Sequence, residues 1–281
     1  HTAGMSYWKQ REDSFMTPIP FEHIELKIME AGFDRVDNSW NRFITLFPYY
    51  RIYYVVSGKA VIYLQDYQLN LKPGKLYFIP SFSIFDAHCD EILGHYWIHF
   101  NFDITTASYL TIYPPKREAE APPFVGEIFR NLLQHVGGYQ QCNSPADAIA
   151  CEGLIKYLLS FFLPDTVSAA PEAVRFVPVL QYIDSHFDSH ISNADLGKIM
   201  FLSPTYFSNL FTKQFRITPQ QYIQQKRINA AAIMLFESNK NIREIAFACG
   251  FESETYFNRQ FHKYMGISPG KYRKLALPLG N

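Results

Sequence analysis

The chain has 281 residues, enough for one or two domains, and its 48% apolar content is ample for packed cores. The formal net charge is zero, but from Arg175 onward there are 13 Lys and Arg against 7 Asp and Glu, a net +6. The preceding part has 13 against 19, a net −6. This split indicates two domains with different tasks, one of them near a polyanion.

The four cysteines form no CxxC pair, which argues against a zinc ribbon or a thioredoxin-like site and favours reduced thiols in a cytosolic protein. No apolar run is long enough to span a bilayer, and we find no secretory signal. We expect residues 1–4 to be an addition ahead of a natural start at Met5.

Residues 50–103 contain short, aromatic-rich runs separated by turn residues. The run RIYYVV (51–56) ends at Ser57-Gly58, which predicts a hairpin, and Pro73-Gly74 predicts a second turn. In HYWIHFNFD (95–103), apolar residues alternate with His95, Trp97, His99 and Asn101. Such strands without a long helix between them predict a small antiparallel barrel or sandwich.

The period then changes to that of amphipathic helices. FVGEIFRNLLQHV (124–136) and ADAIACEGLIKYLLSFFL (146–163) each carry an apolar stripe, which in the second segment includes Ile149. These helices could pack on the sheet, on each other or on a second subunit. We expect a homodimer formed through residues 124–163. The proline-containing stretch that follows is predicted to be a linker.

After Arg175 every segment is predicted to be helical, and one nonamer occurs twice: SPTYFSNLF (203–211) and SETYFNRQF (253–261). Ser203 and Ser253 are expected to cap the two copies. Their buried stripes are predicted to include Tyr206 and Tyr256 beside the phenylalanines. A long helix from Pro219 to about Glu237 is expected to join the copies.

Two copies are too few for a helical solenoid, which generally needs at least three repeats. They suit a pair of helix-turn-helix units, because such a unit lays its second helix in the DNA major groove. A joining helix of about 19 residues spans ~28 Å, and successive major grooves on one face lie ~34 Å apart. One chain can therefore present two helices to adjacent groove segments.

Residues 177–274 resemble the AraC/XylS-type transcription regulators. The most specific segment is IREIAFACGFESETYFNRQFHKYMGISPGKYR (242–273), which follows the second helix-turn-helix signature of that family. The front half is similar to the family's cupin-like arabinose-binding domain in its Ser57-Gly58 turn, its Pro73-Gly74 turn leading into LYFIP, and its WIHF segment. The resemblance implies an α+β protein with an antiparallel β-barrel (cupin-like) sensor and an all-α double helix-turn-helix domain. We expect the sensor at 5–163, the linker at 164–174 and the DNA-binding domain at 175–281.

The resemblance also implies that the outward faces of the repeated helices meet DNA. The expected base contacts are Thr205, Ser208, Asn209, Glu254, Thr255, Asn258 and Arg259, with Arg259 suited to guanine and Asn209 to adenine. The expected phosphate contacts are Lys213, Lys226, Arg227, Lys263 and Arg273. The alternative for each polar residue is a solvated helix surface, and Arg227 could instead pack and pair structurally within the long helix.

Similarity to the arabinose sensor places His95 and Trp97 where that family binds a sugar. Weaker effector-binding candidates are Arg42, Arg51, Tyr53 and Tyr54. The alternative is a polar sheet face without a ligand. No HxH pair occurs, and His95 and His99 lie ~13 Å apart on a strand, too far to share one metal.

We therefore expect a cytoplasmic bacterial transcription regulator, associated with the nucleoid when bound to DNA and controlled by a small effector for which a sugar is one candidate. We expect no cofactor and no metal. The alternatives are an architectural DNA-binding protein without an effector and a cupin enzyme fused to a DNA-binding domain. The sequence does not distinguish an activator from a repressor.

Overall fold

The computed structural model describes residues 24–38, 40, 47–64, 67–89, 91–137, 141–142, 144–163 and 171–276. Arg42 and residues 164–170 of the predicted linker lie outside these ranges, as does the segment before Ile24.

The first half is built from antiparallel strands arranged in two larger sheets and one short hairpin. The strands are β1 (Leu26–Val36), β2 (Tyr50–Ser57), β3 (Ala60–Leu64), β4 (Gln68–Leu71), β5 (Lys75–Ile79), β6 (Ile84–His88), β7 (Leu93–Phe102), β8 (Glu118–Glu120), β9 (Val136–Gly137) and β10 (Gln141–Cys142). One sheet has the order β1-β7-β2-β5-β8 and the other β4-β3-β6, while β9 and β10 pair with each other.

The two larger sheets pack face to face around a shared apolar core. Val55 and Ile79 from the first sheet meet Ile62 and Leu71 from the second in one buried cluster. Among the described strands no hydrogen-bonded pairing joins these sheets, and the two sheets face each other as a sandwich. The class predicted from the sequence is confirmed, with the sandwich as its form.

The predicted hairpin at Ser57-Gly58 is wrong in its pairing. The turn itself is present between β2 and β3, but β2 pairs with β5 and β7, whereas β3 pairs with β4 and β6. The Pro73-Gly74 turn likewise joins β4 of one sheet to β5 of the other. Both turns therefore carry the chain across the sandwich, which turn residues alone cannot reveal.

The outer face of the larger sheet is covered by helices. After α1 (Ile104–Ile112), α2 (Val125–His135) and α3 (Pro145–Ser160) pack Phe129 and Ile155 into a cluster with Ile98 and Phe100 of β7. The expected helices are thus present within one to three residues of their predicted ends. Ile149 is a correction, because it is 73% exposed and does not belong to the buried stripe of α3.

The second half is entirely helical in its described residues. Its helices are α4 (Pro171–Val174), α5 (Val177–His186), α6 (Asn193–Ile199), α7 (Pro204–Phe215), α8 (Pro219–Glu237), α9 (Ile242–Ala248), α10 (Glu254–Met265) and α11 (Pro269–Ala276). The pairs α6–α7 and α9–α10 are the two helix-turn-helix units, and α8 joins them with the predicted 19 residues.

The two units repeat each other in their caps and in their cores. The Ser203 and Ser253 side chains accept hydrogen bonds from the Tyr206 and Tyr256 amides and start α7 and α10. Phe207 and Phe211 of α7 are fully buried, as are Phe257 and Phe261 at the same places in α10. These aromatic pairs fix each second helix on its own unit.

Each helix-turn-helix turn contains one residue with a left-handed backbone, and the two turns differ in which amino acid occupies that position. The Leu202 amide bonds the Gly197 carbonyl, and the Phe251 amide bonds the Ala246 carbonyl in the same way. This equivalence places Phe201, with φ of 58°, at the position of Gly250, with φ of 75°. Phe201 is 96% exposed, so its side chain gains almost nothing from packing while its backbone is strained.

Replacing Phe201 by glycine is therefore expected to stabilise the protein by about 0.5–1 kcal/mol. Relief of the left-handed strain increases the stability by ~1–2 kcal/mol. The greater conformational freedom of glycine in the unfolded chain offsets ~0.5–1 kcal/mol of this gain. Urea unfolding measures the gain. Phe201→Ala keeps the strain and should stay within ~0.5 kcal/mol of the parent; an equal gain from both variants would contradict the backbone explanation.

Candidate nucleic-acid interface and effector site

Helix α7, the second helix of the first unit and its expected recognition helix, presents a polar face to solvent. Thr205, Asn209 and Lys213 are exposed on α7, and Ser208 is half-buried. The buried Phe207 and Phe211 lie on the opposite side of this helix. This separation leaves the base-contact candidates of the first unit accessible to a partner.

The second recognition helix repeats the arrangement. Thr255, Arg259 and Lys263 are exposed on α10, and Glu254 and Asn258 are half-buried. The guanidinium carbon of Arg259 lies 5.3 Å from the centre of the Tyr256 ring. That contact restrains the Arg259 side chain without using its hydrogen-bond donors.

Tyr206 and Tyr256 were predicted to be buried, and this is wrong. They are 57% and 39% exposed, at equivalent places on α7 and α10. Each directly precedes a buried phenylalanine, so the helical turn carries it to the rim of the polar face. Sequence reasoning missed both as surface residues because an aromatic residue beside a buried stripe is normally counted as part of the core.

The arginines among the phosphate-contact candidates bind carbonyl groups inside the protein. Nε and Nη2 of Arg227 each donate to a carbonyl 2.7 Å away, those of Phe187 and Ser189 respectively, just after α5. Arg273 donates to the Leu235 carbonyl at 3.4 Å and to the Lys240 carbonyl at 2.6 Å, at the end of α8. Both arginines thus satisfy carbonyls where a helix ends, a position that favours a positive charge.

Lys226, also a phosphate-contact candidate, lies in a buried ion pair. Its Nζ is 2.7 Å from Oδ1 of Asp184, whose side chain is 5% exposed. Although burial opposes its charge, the pKa of Lys226 is raised, because Tyr222 and the Asp184 carboxylate stabilise the ammonium. The Ser108 hydroxyl donates to the other oxygen of Asp184 at 3.0 Å. Since Ser108 belongs to α1, this cluster connects α5 and α8 of the helical half to the sensor half.

The effector candidates of the sensor lie on the sheet face that looks into the sandwich. Arg51 and Tyr53 of β2 pair in register with His99 and Trp97 of β7. The Tyr53 and His95 rings are 4.9 Å apart. Tyr54 is not part of this set: side chains alternate along a strand, and its ring stacks 5.8 Å from Phe129 of α2 on the opposite face.

Burial keeps the histidines of this face neutral. Burial lowers the pKa of His95 to about 4, with a further contribution from His99. Burial also lowers the pKa of His99 to about 4, against the opposing effect of a 2.8 Å hydrogen bond with Glu30. That same hydrogen bond lowers the pKa of the Glu30 carboxyl. At neutral pH both histidines are therefore uncharged, whereas Arg51 and Glu30 on this face are charged.

Trp97 is held at the rim of this face. Its Nε1 donates to Oδ2 of Asp34 at 2.8 Å, and its ring lies so close to Gly32 of β1 that a Cβ there would be 2.6 Å from it.

The described residues contain no cluster of three or more potential metal ligands. None of the described helices is long and apolar enough to cross a membrane.

Two family profiles match the chain. Residues 32–159 match the AraC-like ligand binding domain, and residues 196–275 match the helix-turn-helix domain. The chain belongs to the AraC family. As an AraC-family protein it combines a ligand-binding domain with a DNA-binding helix-turn-helix domain, the organisation of a transcription regulator.

Relatives of this AraC-family chain agree with the assignment. It is 30% identical to the probable transcriptional regulator LumQ of Photobacterium leiognathi over 56% of its own length and 60% of that protein. It is 27% identical to the arabinose operon regulatory protein of Salmonella typhimurium over 78% of its length and 81% of that protein. The fold is similar to fatty-acid-bound ToxT of Vibrio cholerae, with a TM-score of 0.53, 13% identity, and coverage of 92% of this chain and 97% of that one.

Proposed function

We propose that the protein reads a specific DNA site with α7 and α10 placed in successive major-groove segments. The observation that carries the proposal is the repeated unit with two exposed polar faces, joined by a helix of 19 residues. That helix is ~28 Å long, close to the ~34 Å between adjacent grooves. Arg259 and Asn209 are the leading base readers, and Lys213 and Lys263 position the units on phosphates.

Sequence reading is tested by exchanging Arg259 for alanine. We expect the free energy of binding to the cognate DNA site to weaken by about 1–3 kcal/mol, because a bidentate contact to one guanine is lost. The affinity for random DNA should change little. Titration of both DNAs at one salt concentration measures this. Lys213→Ala is the matched control and should weaken both DNAs and reduce the salt slope by about one unit. Equal losses for Arg259→Ala on both DNAs would support an architectural role instead.

We also propose that DNA binding is controlled by a small effector on the sensor face formed by Arg51, Tyr53, His95 and Trp97. The supporting observations are the inward placement of these residues and the match to a ligand-binding domain. The relatives suggest two effector classes, since one regulates an arabinose operon and another is bound to an unsaturated fatty acid. A thermal-shift panel of sugars and organic acids on the intact chain tests the proposal.

We propose a homodimer through α2 and α3 for the active regulator. Ile149, Phe124 and Tyr157 are exposed apolar side chains in or next to these helices, and the Phe124 and Tyr157 rings lie 6.3 Å apart. We place the sensor before residue 164 and the DNA-binding domain after residue 174, in a protein that acts on chromosomal DNA in the bacterial cytoplasm. Light scattering at micromolar concentration tests the dimer, and a monomer alone would contradict it.

A further inference from the structure

Arg51 is a buried cation on the inner face of the larger sheet. The residue is 1% exposed, and neither terminal nitrogen of its guanidinium has a hydrogen-bond partner among the described residues. The guanidinium carbon lies 5.3 Å from the centre of the Phe47 ring and 5.1 Å from that of Tyr49. A guanidinium stays charged at every physiological pH, and a buried unpaired charge is costly. An anion bound at this position would therefore be stabilised by the Arg51 charge.

The nearby acidic side chain does not supply that anion. The Glu30 carboxylate is bound to Nδ1 of His99 at 2.8 Å and forms no ion pair with Arg51 in the described part of the chain. Glu30 is nevertheless near enough for the Arg51 charge to help lower its pKa. The surroundings of Arg51 thus include one negative charge close by and a set of unused donors.

The site lies where the sensor meets α8 and α11 of the helical half. The Phe47 and Tyr49 rings stack 5.2 Å apart, and each lies 6.1 Å from the Phe236 ring of α8. Tyr272 of α11 is buried and close enough that the Arg51 charge opposes the rise of its pKa. An occupant of this site would contact both halves of the protein.

We propose that Arg51 anchors the carboxylate of an organic monocarboxylate effector whose apolar body lies against Phe47, Tyr49 and Phe236. The proposal rests on the proposed effector control and gives it a chemical class. The planar fork of arginine matches a carboxylate bidentately. Glu30 disfavours a dianion such as phosphate, because a dianion brings two negative charges next to its carboxylate and a monocarboxylate brings only one. A neutral sugar would leave the guanidinium charge unpaired.

Binding is tested on the intact chain without DNA, by calorimetry and by thermal shift. The probes are benzoate and decanoate, with benzamide, decanamide, inorganic phosphate and L-arabinose for comparison. We expect saturable binding of at least one carboxylate, and at least about tenfold weaker binding of its amide, because the charge-assisted contact is lost. Failure of both carboxylates to bind at millimolar concentration, or phosphate or arabinose binding as tightly, would overturn the proposal.

The anchor is tested with Arg51→Gln, which keeps a polar side chain with N–H donors but removes the charge. We expect ~10- to 100-fold weaker carboxylate binding and partial retention in Arg51→Lys. Arg35→Gln is the matched control, because Arg35 is an exposed arginine on β1. Without ligand, Arg51→Gln should melt higher than the parent, since a buried unpaired charge is removed. Unchanged carboxylate affinity in Arg51→Gln would place the ligand elsewhere.

DNA titrations separate this proposal from the proposed function. Carboxylate binding that depends on Arg51, in a chain that shows no preference for any DNA site, would uphold the anion site and reject sequence-specific regulation. Site-specific DNA binding in a chain that binds no carboxylate would do the reverse.

Discussion

Replacing Lys226 by methionine is expected to lower the free energy of unfolding by about 3–5 kcal/mol. The change leaves the Asp184 carboxylate buried, and removing one partner of a buried ion pair costs this much. Asp184 keeps only the Ser108 hydroxyl among the side-chain contacts described above, at 3.0 Å. Urea unfolding of the intact chain measures the loss, with two-state behaviour checked by a second probe.

Lys213→Met is the matched control, because Lys213 is an exposed lysine on the first recognition helix. Its stability should stay within ~0.5 kcal/mol of the parent, while its DNA affinity falls. The double variant Lys226→Met/Asp184→Asn should regain part of the lost stability, because no buried charge remains unpaired. A Lys226→Met protein of parental stability with a shallower salt slope would instead support Lys226 as a phosphate contact.

The Lys226 pair shows where sequence reasoning reaches its limit. A lysine on a helix next to a DNA-binding unit is indistinguishable by pattern from one that binds phosphate. Its role depends on Asp184, 42 positions earlier in the chain, and on the docking of α1 from the sensor half. Arg227 and Arg273 are similar cases, since the carbonyls that they bind are 33 to 40 positions away.

The helical half was predicted well because its structure depends on signals that are local in the sequence. Serine caps, prolines at first helical positions and the apolar period act within a single turn of helix, so the bounds of α7, α8 and α10 follow from nearby residues. In the sensor half, the strand β1 and the helix α1 were not predicted. The sheet to which each strand belongs depends on pairing across the whole domain, as the turn at Ser57-Gly58 shows.

Replacing Gly250 by alanine is expected to lower the stability of the second unit by about 3 kcal/mol. Its φ of 75° is left-handed, which costs a residue with a Cβ ~1–2 kcal/mol. In addition, a Cβ at this position would lie 2.5 Å from the Asp188 carbonyl oxygen, so the backbone must move. Gly266→Ala is the matched control: its φ is 72°, and a Cβ there meets nothing within 4 Å.

The comparison of these two variants isolates the close approach, because the left-handed strain is common to both. Asp188 lies in the segment between α5 and α6, just before the first unit, so Gly250 is a point at which the second unit approaches the segment that leads into the first. Displacement there changes the spacing of α7 and α10, and we expect Gly250→Ala to lose affinity for DNA that engages both units. It should keep its affinity for a half-site. Equal stability and DNA affinity in the two alanine variants would mean that this contact does not set the spacing.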